Sequence, residues 1–215
     1  MASNDTEGAR APLIERFTEA AIELDQDAVA IALDEMFARG SFERIASDLV
    51  LPAVRSLGDA WAAGHLSVAG EHAASHAVLR RLAAAFEAAG VAPTGRAIMV
   101  GLPPGGHHEL GALAFAITAR RAGLAVAYLG ADLPFDDWVS ATASAAGAVI
   151  AVPTEADVDA TTRLVRRLRR AHPSLVVAVG GAAARVLRGV VRLPQDLTAA
   201  AAALAEALTA EARAR

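Results

Sequence analysis

Beyond about residue 93 the chain changes period. Short apolar runs appear at Ala97–Val100, Leu124–Leu129, Ala148–Val152, Leu175–Val179 and, more weakly, Val190–Leu193. Helical stretches separate them, at about 108–122, 135–146, 156–171, 181–188 and 196–213. Strand and helix in alternation require crossover connections, which are right-handed and build a mostly parallel sheet. Five strands of this kind predict the flavodoxin-like, doubly wound order 2-1-3-4-5, whose ligand crevice lies outside the carboxyl ends of the strands.

Before residue 93 the apolar residues recur at helical spacing instead. Leu13, Phe17, Ala20 or Ala21 and Leu24 form one stripe; Val29, Leu33, Met36 and Phe37 form a second. A third helix is expected from Leu51 to about Ala63, with Pro52 in its first turn, and a fourth from an N-cap at Ser67 to near Gly90. The fold class expected is therefore α/β: a four-helix bundle over residues 1–92, then a five-stranded doubly wound sheet over 93–215. Only 4% of the 215 residues are aromatic and alanine is abundant, which fits closely packed helices better than a β-sandwich. The absence of cysteine removes thiolate metal sites and thiol nucleophiles together. A net charge of -4 gives no basic footprint for nucleic acid. The polar start MASNDTEG is no signal peptide, and no apolar run approaches a bilayer span, so a cytoplasmic protein without membrane contact is expected.

The first loop at the crevice reads Leu102-Pro-Pro-Gly-Gly-His-His-Glu-Leu-Gly111. Glycines at a helix start attract anions, but the spacing fits neither GxGxxG nor the phosphate loop, and no lysine follows. The histidines are the more informative residues. His-x-x-Gly after the first strand of such a sheet resembles the DxHxxG motif of cobalamin-binding domains. The resemblance implies that His108 ligates cobalt in place of the cofactor's own base, with Gly111 as the motif glycine. Imidazole, a neutral nitrogen donor, suits cobalt. The motif's acidic residue falls on Gly106, so a backbone carbonyl, water or His107 would have to orient His108. Gly180-Gly181 matches the family's GG element, which admits the nucleotide tail, and Thr154 stands near its SxL element, where it could offer the buried base a hydroxyl.

The helical half narrows the resemblance. Leu51-Pro52, Leu57-Gly58, Trp61 and Gly64 resemble the helical cap that precedes many cobalamin domains, and Trp61 is followed after nine residues by Glu71-His72. This pattern resembles the cap of light-sensing, adenosylcobalamin-binding regulators of the CarH type, which implies that Trp61, Glu71 and His72 cover the upper corrin face. Cobalamin is then expected between cap and sheet. Two departures matter: the DNA-binding domain of those regulators is not expected in this chain, and the residue after the cap tryptophan, histidine in those regulators, is Ala62.

Trp61 as a core anchor, with Glu71 and His72 as a polar first turn, is the competing reading. His72 and His76, four apart, with His65 nearby, offer too few ligands for zinc. The arginines at 163, 166, 167, 169 and 170 are expected to form a solvated helix face. The function expected is a cobalamin-dependent light sensor, not an enzyme, signalling to a separate output protein through cap packing or homo-oligomer state. The alternatives are a corrinoid carrier for a methyltransferase and a passive cobalamin store. Some cobalamin light sensors of this kind also bind a bilin, and the small residues beside Trp61 imply room for biliverdin, held non-covalently because cysteine is absent.

Overall fold

The computed structural model describes residues 10–90 and 95–214, so the change of period at Pro93 lies outside the described residues. The backbone divides into two compact units, one through Ala84 and the other from Ala85.

The first unit is helical. Helices α1 (Ala11–Ile22) and α2 (Gln26–Phe37) bury the expected stripes, Leu13, Phe17, Ala20 and Ala21 against Val29, Leu33 and Met36. Leu24 departs from its stripe. It lies in the connecting turn at φ 59° and is exposed, because α1 has already ended. Asp25 caps α2 by accepting the Ala28 N–H at 2.9 Å. The third helix starts nine residues before its expected position, as α3 (Phe42–Ile45) continued by a π-helical turn (Ala46–Val50) into α4 (Leu51–Ala62). Proline cannot donate a helix hydrogen bond. Here the Leu51 amide reaches back to the Ala46 carbonyl, and the wider turn carries the helix through Pro52. Helix α5 (Val68–Ala88) is capped as expected, the Ser67 hydroxyl accepting the Gly70 N–H at 3.0 Å.

The second unit is the expected sheet. Strands β1 (Ile98–Gly101), β2 (Val126–Gly130), β3 (Gly147–Ala151), β4 (Val176–Gly180) and β5 (Val191–Arg192) are all parallel, in the order β2-β1-β3-β4-β5. The crossovers are helices α6 (Leu110–Arg121), α7 (Phe135–Ala141) and α8 (Asp157–Ala171), a short 3-10 turn (Ala182–Val186), and the closing helix α9 (Leu197–Arg213). The near-continuous burial of β3 and β4 marks strands covered on both faces. One core contains Trp138, Ile150, Val152, Leu164, Leu168 and Val179. Every residue of α6 from Ala112 to Ala119 is buried, because α6 packs on both the sheet and α9. Four alanines permit that approach. Three elements depart most from the expected lengths. Helix α7 stops once Trp138 is buried and Thr142 donates to its carbonyl at 2.7 Å; the stretch after Gly181 forms only the 3-10 turn; and β5 has two residues. Among the described residues no helix is long and apolar enough to cross a membrane.

Candidate functional site

The order reverses at β1, where β2 lies to one side and β3 to the other, so the loop leaving β1 opens at the topological switch point. Its beginning is firmly held. The Leu102 carbonyl accepts from the buried Trp138 Nε1 at 3.0 Å, and the Leu102 amide donates to the Gly130 carbonyl at 3.0 Å. Gly105, at φ 81°, allows the Pro103–Gly106 turn, closed by the Gly106 N–H on the Pro103 carbonyl at 3.0 Å. Asp132 clamps this turn twice: its carboxylate accepts the Gly105 N–H at 2.7 Å, and its N–H donates to the Gly106 carbonyl at 2.9 Å.

The end of the loop is held as well. The Glu109 carboxylate accepts the Tyr128 hydroxyl at 2.7 Å. Burial, then the hydrogen bond to Glu109 and its charge, push the Tyr128 hydroxyl well above its usual range, so it stays a donor. Between the two anchors the Glu109 N–H bonds the His107 carbonyl at 3.0 Å, a γ-turn centred on His108. His107 and His108 are both exposed, and neither ring bonds another described residue. They precede α6 rather than opening it, since the helix begins at Leu110.

The other crevice loops differ in what their residues can offer. The Thr154 hydroxyl donates to Asp157 Oδ2 at 2.6 Å, and the Thr154 N–H reaches the same oxygen at 2.9 Å. Toward a ligand the Thr154 hydroxyl is therefore left as an acceptor. Asp157, in the first turn of α8, is buried, and its Oδ1 lies 3.1 Å from where a Cβ on Gly106 would stand. One turn later Thr161 Oγ1 is buried without a hydrogen-bond partner among the described residues. Gly181 is explained by the fold itself: φ is 113°, and a Cβ would meet the Val152 carbonyl oxygen at 2.5 Å. Gly180 has ordinary space, with Leu193 at 3.7 Å from its Cβ position. Gly111 is the reverse case. It sits in the first turn of α6, and a Cβ there would meet nothing within 4 Å.

On the helical unit, Trp61 in the last turn of α4 is 56% exposed, which excludes the core-anchor reading. Gly64, at φ 74°, then ends the helix, with its N–H on the Trp61 carbonyl at 3.0 Å. In the first turn of α5, Glu71 is fixed from two sides: Ser75 Oγ donates to Oε1 at 2.6 Å, and His72 Nδ1 lies 2.8 Å from Oε2. The His72 and His76 rings are 6.4 Å apart, and no group of three metal-ligating side chains occurs among the described residues. The α8 arginines are exposed as expected, Arg167 pairing with Asp136 at 2.8 Å.

Sequence reasoning missed Ser75, Asp132, Tyr128, Glu109 and Asp157. Two signals were available: Ser75 is one helical turn from Glu71, and Thr154-x-x-Asp157 has the spacing of a capping box. Asp132 and Tyr128 gave none, because their partners lie 27 and 19 residues away.

These residues fit a corrinoid. His108 is an unengaged nitrogen donor at the switch point, Gly111 leaves open space one turn on, and Thr161 is an unsatisfied buried hydroxyl. Comparison with known proteins points the same way. The B12 binding domain family matches residues 13–85, the segment containing Trp61, Glu71 and His72. Two Myxococcus xanthus proteins are similar: the HTH-type transcriptional repressor CarA, 34% identical over 80% of this chain and 59% of its own length, and CarH, 32% identical over 75% of this chain and 54% of its own. The chain thus spans less than two thirds of either repressor. The monomethylamine corrinoid protein of Methanosarcina barkeri shares the fold, with a TM-score of 0.70 at 15% identity over 96% of this chain and all of that one. Residues 13–85 thus match the B12 binding domain family, and most of the chain is similar to part of the repressors CarA and CarH.

Proposed function

We propose that the chain is a cobalamin-dependent regulatory module, not an enzyme. It binds adenosylcobalamin with the cofactor's own base displaced, and it converts light into a rearrangement of its helical unit. The observation that carries this reading is Trp61, an indole more than half exposed within the B12 binding domain segment. The helical unit's own core does not require it there. A bound adenosylcobalamin would supply a cobalt–carbon bond that light breaks. His108 would hold the metal, Trp61 would cover the adenosyl group, and Glu71, fixed by Ser75 and His72, would offer carboxylate oxygens to its polar groups. Ala62 cannot ligate, so a second histidine ligand does not come from that position. The exposed Ala62, Ala63 and Gly64, with open space at Gly58 and Gly64, support biliverdin as a second, non-covalent chromophore. The shared fold of the monomethylamine corrinoid protein favours a second reading, a methyl carrier, which has no need of an exposed tryptophan.

The test loads the protein in the dark with adenosylcobalamin, with and without biliverdin, and compares absorption and elution volume before and after illumination. Expected are a light-dependent spectrum, a shifted elution volume and, with biliverdin, a red band that survives gel filtration. Trp61→Ala should reduce the preference for adenosyl- over methylcobalamin by about 10-fold or more, because an indole face is lost. A light-insensitive spectrum, with equal affinity for both forms, would support the carrier instead.

Gly111 gives a separate prediction. With nothing near its Cβ position, Gly111→Ala should stabilise the apo-protein by up to about 1 kcal/mol through helix propensity. Cobalamin affinity should fall, because the methyl enters space the ligand uses. Denaturant melts and binding titrations check the two effects; unchanged affinity would remove Gly111 from the site.

A further inference from the structure

We propose that Asp157, in the first turn of α8 after β3, is the positioning residue for His108, accepting the ring N–H that cobalt leaves free. This rests on the ligation by His108 proposed above. A metal-bound imidazole keeps one N–H, and the acceptor of that hydrogen fixes both tautomer and ring orientation. Each nearby carboxylate has one engaged oxygen, Glu109 Oε2 taking the Tyr128 hydroxyl and Asp132 Oδ1 the Gly105 N–H, both at 2.7 Å. Glu109 is only half-buried and Asp132 is exposed, so water can serve their other oxygens.

Asp157 differs. It is 5% exposed, and its Oδ2 takes both Thr154 hydrogens, at 2.6 and 2.9 Å. Its Oδ1 accepts no hydrogen bond from a described residue, an expensive state for a carboxylate so far from water. That oxygen lies 3.1 Å from the Cβ position of Gly106 and so faces the loop of β1. Gly106 is two residues before His108 in the same loop. With no side chain on Gly106, the carboxylate oxygen stands directly against that loop. The two sequence-distant halves of the pair are thus supplied by neighbouring strands, β1 and β3.

The test uses cob(II)alamin on the full chain labelled with 15N-histidine, so that paramagnetic resonance distinguishes a histidine nitrogen on cobalt from the cofactor's own base. Asp157→Asn keeps the size and the acceptor for Thr154 but turns an N–H toward the ring. It is expected to lose most of the histidine signal and to weaken binding about 10-fold or more. Asp157→Ala should do the same, and Gly106→Asp combined with Asp157→Ala should restore the signal by moving the carboxylate to the loop of β1. Apo-protein melts establish that each variant is folded. A folded Asp157→Asn protein with wild-type signal and affinity overturns the proposal while leaving ligation by His108 intact. Should the Asn variant not fold, a folded relocation variant decides: histidine signal restored supports the pairing, and signal absent overturns it. If wild type lacks the signal, or His108→Ala keeps it, ligation itself falls and this pairing with it.

Discussion

His108→Ala is expected to abolish the histidine-ligated spectrum of bound cobalamin, whereas His107→Ala retains it. Both rings are exposed and unbonded, so exposure alone does not separate them. Position does. The γ-turn is centred on His108, and Gly111, three residues on, is the first-turn position where a Cβ would meet nothing within 4 Å beyond its own stretch of chain. The His-x-x-Gly spacing runs from His108 to Gly111, whereas His107 stands four residues from that glycine. The loop is anchored by Asp132 on one side and by Tyr128 and Glu109 on the other, so neither substitution disturbs its path. Apo-protein stability should change by no more than about 0.5 kcal/mol for either variant, as for other exposed side chains without partners. Absorption spectra of the loaded variants, with denaturant melts of the apo forms, check this. Loss of the signature in His107→Ala alone would move the ligand by one residue.

The sheet was legible because buried parallel strands are nearly continuous in apolar character. Ala148–Val152 and Leu175–Val179 can hardly be read otherwise, and the order β2-β1-β3-β4-β5 follows from the alternation with helices. The weaker signals were less faithful. Val190–Leu193 reads as a strand by composition, but only Val191 and Arg192 pair with β4. Pro52 reads as a helix start, yet the helix begins at Phe42, because a π-helical turn absorbs the missing N–H. Periodicity reports which face is buried and does not report such local accommodation.

The site was legible in its ligands more than in its supports. His108, Trp61, Glu71 and His72 stand out by residue type and spacing, and the structure leaves each of these side chains at least partly accessible. The groups that hold them come from elsewhere in the chain. Asp132 clamps a turn 27 residues away, and Asp157 faces Gly106 across β1 and β3. For the pairing across the two loops the clue was an absent side chain: glycine where a carboxylate is expected leaves a space, and only the fold shows what stands beside it.

Gly181→Ala is expected to destabilise the α/β unit by roughly 3–5 kcal/mol, large for a single methyl group. Two independent costs combine. At φ 113° and ψ 167° the residue occupies backbone space that is essentially reserved for glycine, worth about 1–3 kcal/mol of strain. The new Cβ would also stand 2.5 Å from the Val152 carbonyl oxygen and 2.7 Å from its carbon, backbone atoms that cannot rotate away. That carbonyl accepts the Ala183 N–H at 3.1 Å, and the Val152 N–H bonds the Gly180 carbonyl at 2.7 Å, so relief by movement would break the junction between the β3 and β4 loops. Gly180→Ala is the control. Its Cβ would touch Leu193 at 3.7 Å, ordinary contact, and it should fall near wild type in urea melts of the apo-protein. The pair separates two reasons for a double glycine. If Gly181→Ala unfolds early without any cobalamin while Gly180→Ala loses only affinity for it, the second glycine serves the fold and the first serves the ligand. A Gly181→Ala protein melting like wild type would remove the structural reason and return both glycines to the ligand.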